Sequence, residues 1–196
     1  KDTLVDQTRA ALARMLPRRA KGRDPMVGVV QRLDKDTTGV LVFARNMVAK
    51  RALQDQLRAH TVGRRYLALA HGAVKTESHE SDIVQDRGDG LRGSWGTRSN
   101  HRGAPPPNAK RSVTHVRLVE PLRKASLVEC RLETGRQHQI RIHLAEAGHP
   151  LVGERVYIRD FSAPQISAPR PMLHATELAF EHPRTGERLR FSVPLP

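Results

Sequence analysis

Residues 126–133 alternate apolar Val128, Cys130 and Leu132 with polar Glu129 and Arg131. A period of two sends successive side chains to opposite faces of a strand, so this stretch demands a sheet with one dry face. Residues 112–119 form a second strand-like run, and the two fit best as an antiparallel pair. Further strands are expected at 27–30 and 40–43, on either side of a polar loop, and at 64–71. A closing hairpin is expected over 173–180 and 189–193, around Pro183-Arg184-Thr185-Gly186. Helical spacing is confined to three places. Leu4, Val5, Ala11, Leu12, Met15 and Leu16 predict a first helix, with Asp2 or Thr3 as its cap and Pro17 as its stop. Asn46 caps a second helix to about His60, which Gly63 ends, with Ala49, Leu53 and Leu57 on one face and Lys50, Gln54 and Arg58 opposite. Thr134 caps a third through Ala147, with Ile140 and Leu144 inward. Strands outnumber helices without strict βαβ alternation, so the fold class is α+β, on a mixed, mostly antiparallel sheet with flanking helices.

The length of 196 residues suits a single domain spanning 1–196. Within it, residues 81–107 hold Gly88, Gly90, Gly93, Gly96, Gly103 and Pro105-Pro106-Pro107, which predicts a long irregular insertion. A second irregular connection, rich in Pro and Ala, is expected over 159–171. Lys and Arg total 34 against 20 Asp and Glu, a net charge of +14 that calls for a polyanion. Nucleic acid leads, an anionic membrane surface follows, and a merely solvated basic surface is the bland alternative. The basic stretch 18–23 divides in the same way, between a phosphate contact and a solvated linker. No apolar run approaches the roughly 20 residues that span a bilayer, and the first helix has few basic residues on a defined face, so no membrane partner is expected. Aromatic residues make up only 4%, which argues against nonspecific single-strand binding on stacked rings. Cys130 is the only cysteine and has no intrachain partner, so the expected compartment is reducing, that is, cytoplasmic.

The chain has no glycine fingerprint after a strand, no phosphate-binding GxxxxGK[ST] loop, no GxSxG elbow and no paired cysteines. His138 and His143 stand five apart and do not share a helical face, so no metal is expected. Two segments remain. In QRLDKDTTG (31–39), Asp34 lies in a loop between apolar strands, beside Arg32 and Lys35. A carboxylate in that basic field stays ionised and can serve as nucleophile or base; the alternative is an Asx-type turn with local salt bridges. In TGRQHQIRIH (134–143), Arg136 and Arg141 project in different directions on a helix. One can engage phosphate while the other pairs with a carboxylate, or both are solvated.

Four blocks then occur in order: RLDKDTTGVLVFARN (32–46), RRYLALAHG (64–72), LETGRQHQIRIHLAEAGHPLVGERVY (132–157) and LHATELAFEHPRTGERLRFSVPLP (173–196). Together they resemble the RluA-type RNA pseudouridine synthases. The resemblance implies isomerisation of uridine to pseudouridine in rRNA or tRNA, in which the C–N glycosidic bond breaks and the uracil rejoins through C5. It also implies the pseudouridine synthase fold with a central basic cleft, a monomer, and neither metal nor organic cofactor. Asp34 matches the family's catalytic aspartate, Tyr66 its active-site tyrosine, and Arg141 the arginine that pairs with the aspartate. Arg32 matches a position that can fill the gap left by a flipped base. Arg136 and His138 are candidates for ordering the site or touching RNA, and Ile140 and Leu173 line the uracil pocket or belong to the core. A noncatalytic RNA-binding or ribosome-assembly protein on the same fold is the competing reading.

Departures from the family pattern are Gln31, where His is common, and Glu154, where Asp is common and a change in a loop is tolerable. The opening strand with a Lys-Pro-x-Gly motif and any RNA-binding domain of the S4 type are missing before Leu4, and the missing portion is expected ahead of Lys1.

Overall fold

A computed structural model describes residues 3–17, 24–97 and 103–196. The basic stretch 18–23 and Asp2 lie outside the described residues. The chain divides into two compact units, the first made of Lys1–Leu33, Leu41–Val62 and Ala179–Arg190, the second of Asp34–Val40, Gly63–Leu178 and Phe191–Pro196.

In the first unit, α1 (Leu4–Met15) begins at a capping box: Asp6 N–H donates to Thr3 Oγ1 and Thr3 N–H donates to the Asp6 carboxylate. The expected amphipathic stripe is present, yet no residue of this helix is buried. Strands β1 (Gly28–Val29) and β3 (Phe43–Ala44) pair antiparallel. Asn46 caps α2 (Met47–Arg58) by accepting from Ala49 N–H at 2.8 Å, and Leu53 is its buried residue. Gly63 does not end α2. The chain turns out at His60, whose φ of 58° supplies the left-handed step, and Gly63 opens the next strand. The Gln56 amide binds both backbone groups of Glu181, imitating a strand partner.

The second unit carries most of the sheet: β2 (Thr38–Gly39), β4 (Gly63–His71), β5 (Glu77–Val84), β6 (Gly93–Ser94), β7 (Lys110–Pro121) and β8 (Ala125–Leu132). With the final hairpin, β9 (Leu173–Glu181) and β10 (Arg188–Ser192), the order is β10-β9-β4-β8-β7-β5-β6. The pairs β4–β8, β8–β7, β7–β5 and β5–β6 are antiparallel, and β2 runs parallel to β9. The sheet is therefore mixed and mostly antiparallel, as expected. Val128 and Cys130 are fully buried in a core with Ala68, Ala70, Val116, Ile140, Leu144, Leu151 and Leu173. Burial pushes the Cys130 thiol up to about 12, so it packs as an inert apolar group. On the other face Glu129 is also buried, because Arg65, Arg117 and Arg131 surround its carboxylate at 3.4, 3.2 and 3.1 Å.

Two expectations are corrected here. The segment 81–107 is not irregular from its start: β5 runs to Val84 with Ile83 and Val84 buried, and β6 returns against it. Ser81 Oγ is 3.0 Å from His143 Nε2 and accepts from Ser94 Oγ at 2.6 Å, so polar contacts to buried groups hold both strands in place. Residues 98–102 lie outside the described residues. Thr134 is not a helix cap. Its hydroxyl accepts from Val113 N–H and donates to Gln139 Oε1, while α3 (Gln139–Glu146) starts after a left-handed His138. Residues 139–144 are buried all round α3, a helix enclosed by protein and not one lying on a surface. Among the described residues no helix is long and apolar enough to cross a membrane.

Candidate active site

The loop after Asp34 is hung on β9. Thr37 N–H donates to Asp34 C=O at 3.1 Å, Asp36 takes a left-handed φ of 69°, and Val40 N–H donates to Ala175 C=O at 2.9 Å. Gly39 is indispensable there: its φ is 121°, and a Cβ would lie 2.2 Å from the Ala175 carbonyl oxygen. Thr38 Oγ1 shares a 2.8 Å bond with His174 Nδ1, tying the loop to a buried side chain. Three hydrogen bonds along residues 34–40 thus pin the loop that carries Asp34.

Tyr66 stands on β4 opposite Cys130 and packs against the core cluster that contains Ile140 and Leu173. Those last two residues are thus core members. Burial raises the Tyr66 phenol above its ordinary range; the Arg64 charge opposes this and the Asp34 charge adds to it. Arg64, two residues earlier, donates to Glu133 C=O at 2.8 Å and fills the space beside Gly135, where a Cβ would meet its Nη1 at 2.1 Å.

Arg141 is buried on α3, and its partner differs from the expected one. Its guanidinium grips Glu154 with two bonds, Nε to Oε2 at 2.8 Å and Nη2 to Oε1 at 2.7 Å. Among the described residues it makes no direct ion pair with Asp34. Asp34 still acts on it through space: burial works against the cation, but Glu154, Asp34 and Tyr157 outweigh that and raise the Arg141 pKa. Glu154 Oε1 also accepts from the N–H groups of Arg155, Val156 and Tyr157 at 3.0, 2.9 and 3.3 Å. Burial pushes this carboxyl up, and Arg141 with the backbone donors overrides it, so the net shift is downward. Tyr157 lies under Arg141, with the guanidinium carbon 5.3 Å from the ring centre. Glu154 and Tyr157 were missed by sequence reading, which took Glu154 for a loop substitution.

His138 has a φ of 60°, and its Nδ1 is 2.8 Å from the Tyr157 hydroxyl. The charges acting on its ring include those of Asp34 and Arg141. Arg136 is exposed and is not helical; its Nε donates to Arg111 C=O at 3.3 Å. Arg32 is exposed and belongs to the first unit. The charge of Asp34 therefore acts on Tyr66, Arg141, His138 and Tyr157. Such a site can place a carboxylate beside a phenol and a fixed guanidinium, a set suited to acid–base or nucleophilic work on a polar substrate. Among the described residues no group of His, Cys, Asp and Glu is arranged to hold a metal ion.

Comparison with known proteins bears on the family of the chain. Residues 4–146 match the family model described as RNA pseudouridylate synthase. The chain is 40% identical over 174 residues to ribosomal large subunit pseudouridine synthase D of Zymomonas mobilis, covering 86% of this chain and 53% of that protein. It is 42% identical over 177 residues to the protein of the same name from Nitrosomonas europaea, covering 88% and 49%. The chain thus spans about half the length of the curated relatives it matches. Human RNA Pseudouridylate Synthase Domain Containing 4 superimposes with a TM-score of 0.79 at 22% identity, over 100% of this chain and 80% of that one. Human RNA Pseudouridylate Synthase Domain Containing 1 gives 0.68 at 27%, over 87% and 70%.

Proposed function

The chain belongs to the RNA pseudouridylate synthase family, and from that premise we propose that it isomerises uridine to pseudouridine in RNA, with Asp34 as the reacting carboxylate. The observation that carries this reading is the pinned 34–40 loop, with the charge of Asp34 acting on both Tyr66 and Arg141. The carboxylate has three routes, namely attack at C1′, removal of the C2′ proton, or addition to the base at C6, and each needs a fixed anion beside the nucleoside. Tyr66 offers its ring to the base. Its raised pKa keeps the phenol protonated at neutral pH, which suits stacking and hydrogen-bond donation. Arg141, clamped by Glu154, supplies a fixed positive charge to the site.

The uridine must leave its stack to reach Asp34, and Arg32 is the side chain we assign to the vacated space. Arg136 is assigned to phosphate, in a basic cleft that receives the RNA. The relatives' names point to large-subunit ribosomal RNA as the substrate. All of 1–196 is read as catalytic domain, working as a cytoplasmic monomer. RNA carrying tritium at uridine C5 tests the proposal. Tritium release by the chain that disappears in Asp34→Ala is the expected result. RNA binding without release from any rRNA or tRNA pool would instead identify a noncatalytic RNA-binding protein on this fold.

A further inference from the structure

His138 occupies an unusual position. It is a non-glycine residue in the left-handed region, at φ 60° and ψ 15°, immediately before α3, and its side chain does not cap that helix. The loop before it is locked. Gln139 accepts from Thr134 Oγ1 and Arg136 N–H through Oε1, and donates to Val113 C=O and Thr114 Oγ1 through Nε2, all between 2.8 and 3.0 Å. Every hydrogen-bonding site of that buried amide is engaged, so the ring of His138 is held on a rigid base.

The hydrogen bond between His138 Nδ1 and the Tyr157 hydroxyl fixes more than the ring's direction. Tyr157 is buried, and its hydroxyl meets no other hydrogen-bond partner among the described residues. A buried O–H requires an acceptor. Were Nδ1 protonated, it would donate to the Tyr157 oxygen and leave the phenolic proton with nowhere to go. With Nδ1 as acceptor, both groups are satisfied. A neutral imidazole whose Nδ1 accepts must carry its proton on Nε2. That second nitrogen has no protein partner among the described residues, and the ring is half-buried within the field of Asp34.

We propose that His138 presents Nε2–H as a neutral hydrogen-bond donor to an acceptor oxygen of the uridine nucleotide bound at Asp34, and that Tyr157 is the positioning residue that sets this tautomer. Neutrality matters to the chemistry. An imidazolium here would pair with Asp34 and tie up the anion the reaction needs, whereas the neutral ring donates without competing for the carboxylate. The groups that act on the ring are Tyr157, Asp34, Arg141, Glu154 and Arg92. Burial and the two arginines favour the neutral form, the two carboxylates oppose it, and the His138 pKa stays below its ordinary value. Tyr157 is suited to its part, since burial pushes its phenol up to about 12 and it remains a donor at any working pH.

The inference rests on uridine as the substrate, and two measurements separate its fate from that reading. Long-range proton–nitrogen correlation spectra of the chain with 15N-labelled histidine are expected to show His138 protonated at Nε2 and bare at Nδ1. Tyr157→Phe is expected to erase that preference, and addition of a uridine-containing RNA to shift the Nε2 resonance. A proton on Nδ1, an unchanged tautomer in Tyr157→Phe, or an Nε2 resonance indifferent to the RNA overturns the proposal, whether or not tritium is released. The second measurement compares His138→Gln with His138→Asn in tritium release, each checked for an unchanged urea midpoint. Gln places an N–H near the Nε2 position; Asn is the better left-handed residue but places its N–H too short. A donor role predicts that Gln keeps most of the rate and that Asn loses about tenfold or more. The opposite order identifies a backbone role and overturns the proposal.

Discussion

Glu154 is the residue on which the electrostatics of the site turn. A buried guanidinium without a counter-ion is strongly unfavourable, and Glu154 is the carboxylate that meets Arg141 within bonding distance. Glu154→Gln is therefore expected to lower stability by about 3–5 kcal/mol, the usual effect of removing one member of a buried pair. Glu154→Asp, which keeps the charge, is expected to recover much of that loss. The pH dependence has a definite sign. Because the native carboxyl titrates below its unfolded value of about 4.3, its contribution is complete above that pH and disappears as pH falls through the native value. Urea midpoints of wild type and Glu154→Gln should thus lie far apart at about pH 7 and draw together as pH falls through the native value of the carboxyl. A constant gap across that range would mean that Glu154 acts through shape and not charge. The Arg141–Glu154 pair was illegible in the sequence because its partners are 13 apart and join an enclosed helix to a loop. No local periodicity encodes such a bond, and a family match to Arg141 alone pointed to Asp34 as its partner.

At the scale of elements, β2 is only two residues long, yet its parallel pairing to β9 anchors the loop that carries Asp34, the carboxylate proposed to react. Gly39→Ala tests this device. The added methyl would sit 2.2 Å from the Ala175 carbonyl oxygen and 2.5 Å from its nitrogen, at a φ that L-residues avoid. Displacing β2 from β9 is the only relief, so the variant is expected to lose about 1–3 kcal/mol and most tritium release while keeping the fold of β4, β7 and β8. Full activity in Gly39→Ala would refute the claim that this pairing positions Asp34. Legibility differed among elements for a physical reason. The β7–β8 pair and α2 declared themselves through alternation and an Asn cap, both local signals. The start of α3 did not, since Thr134 looks like a cap in sequence but spends its hydroxyl on Val113 and Gln139. Likewise the glycines after residue 84 dominated the composition of 81–107 and hid the end of β5, whose Ser81 is held by His143 from a distant helix.

For the molecule as a whole, the +14 charge overstates what is free to meet the RNA proposed as its substrate. Arg65, Arg117 and Arg131 are gathered on Glu129, Arg87 bonds Asp89 and Glu146 and lies 3.5 Å from Asp160, and Arg141 belongs to Glu154. These cations already have carboxylate partners, so binding of phosphate to them would break an existing pair. Arg136 is different: it is exposed, its guanidinium donates to the Arg111 backbone carbonyl, and no carboxylate pairs with it among the described residues. Each phosphate neutralised releases counterions and adds to the slope of log affinity against log salt. Arg136→Ala is therefore expected to weaken RNA binding across sequences and to reduce that slope by about one. Arg117→Ala removes the same formal charge from the chain but leaves the slope nearly unchanged, and its effect falls on folding, because Glu129 loses a partner while remaining buried. Filter binding over a salt series, run beside urea denaturation for both variants, separates the two roles. Equal changes in slope would mean that the surplus acts as a diffuse field, in which case the pairing of individual arginines would have no bearing on where RNA is held.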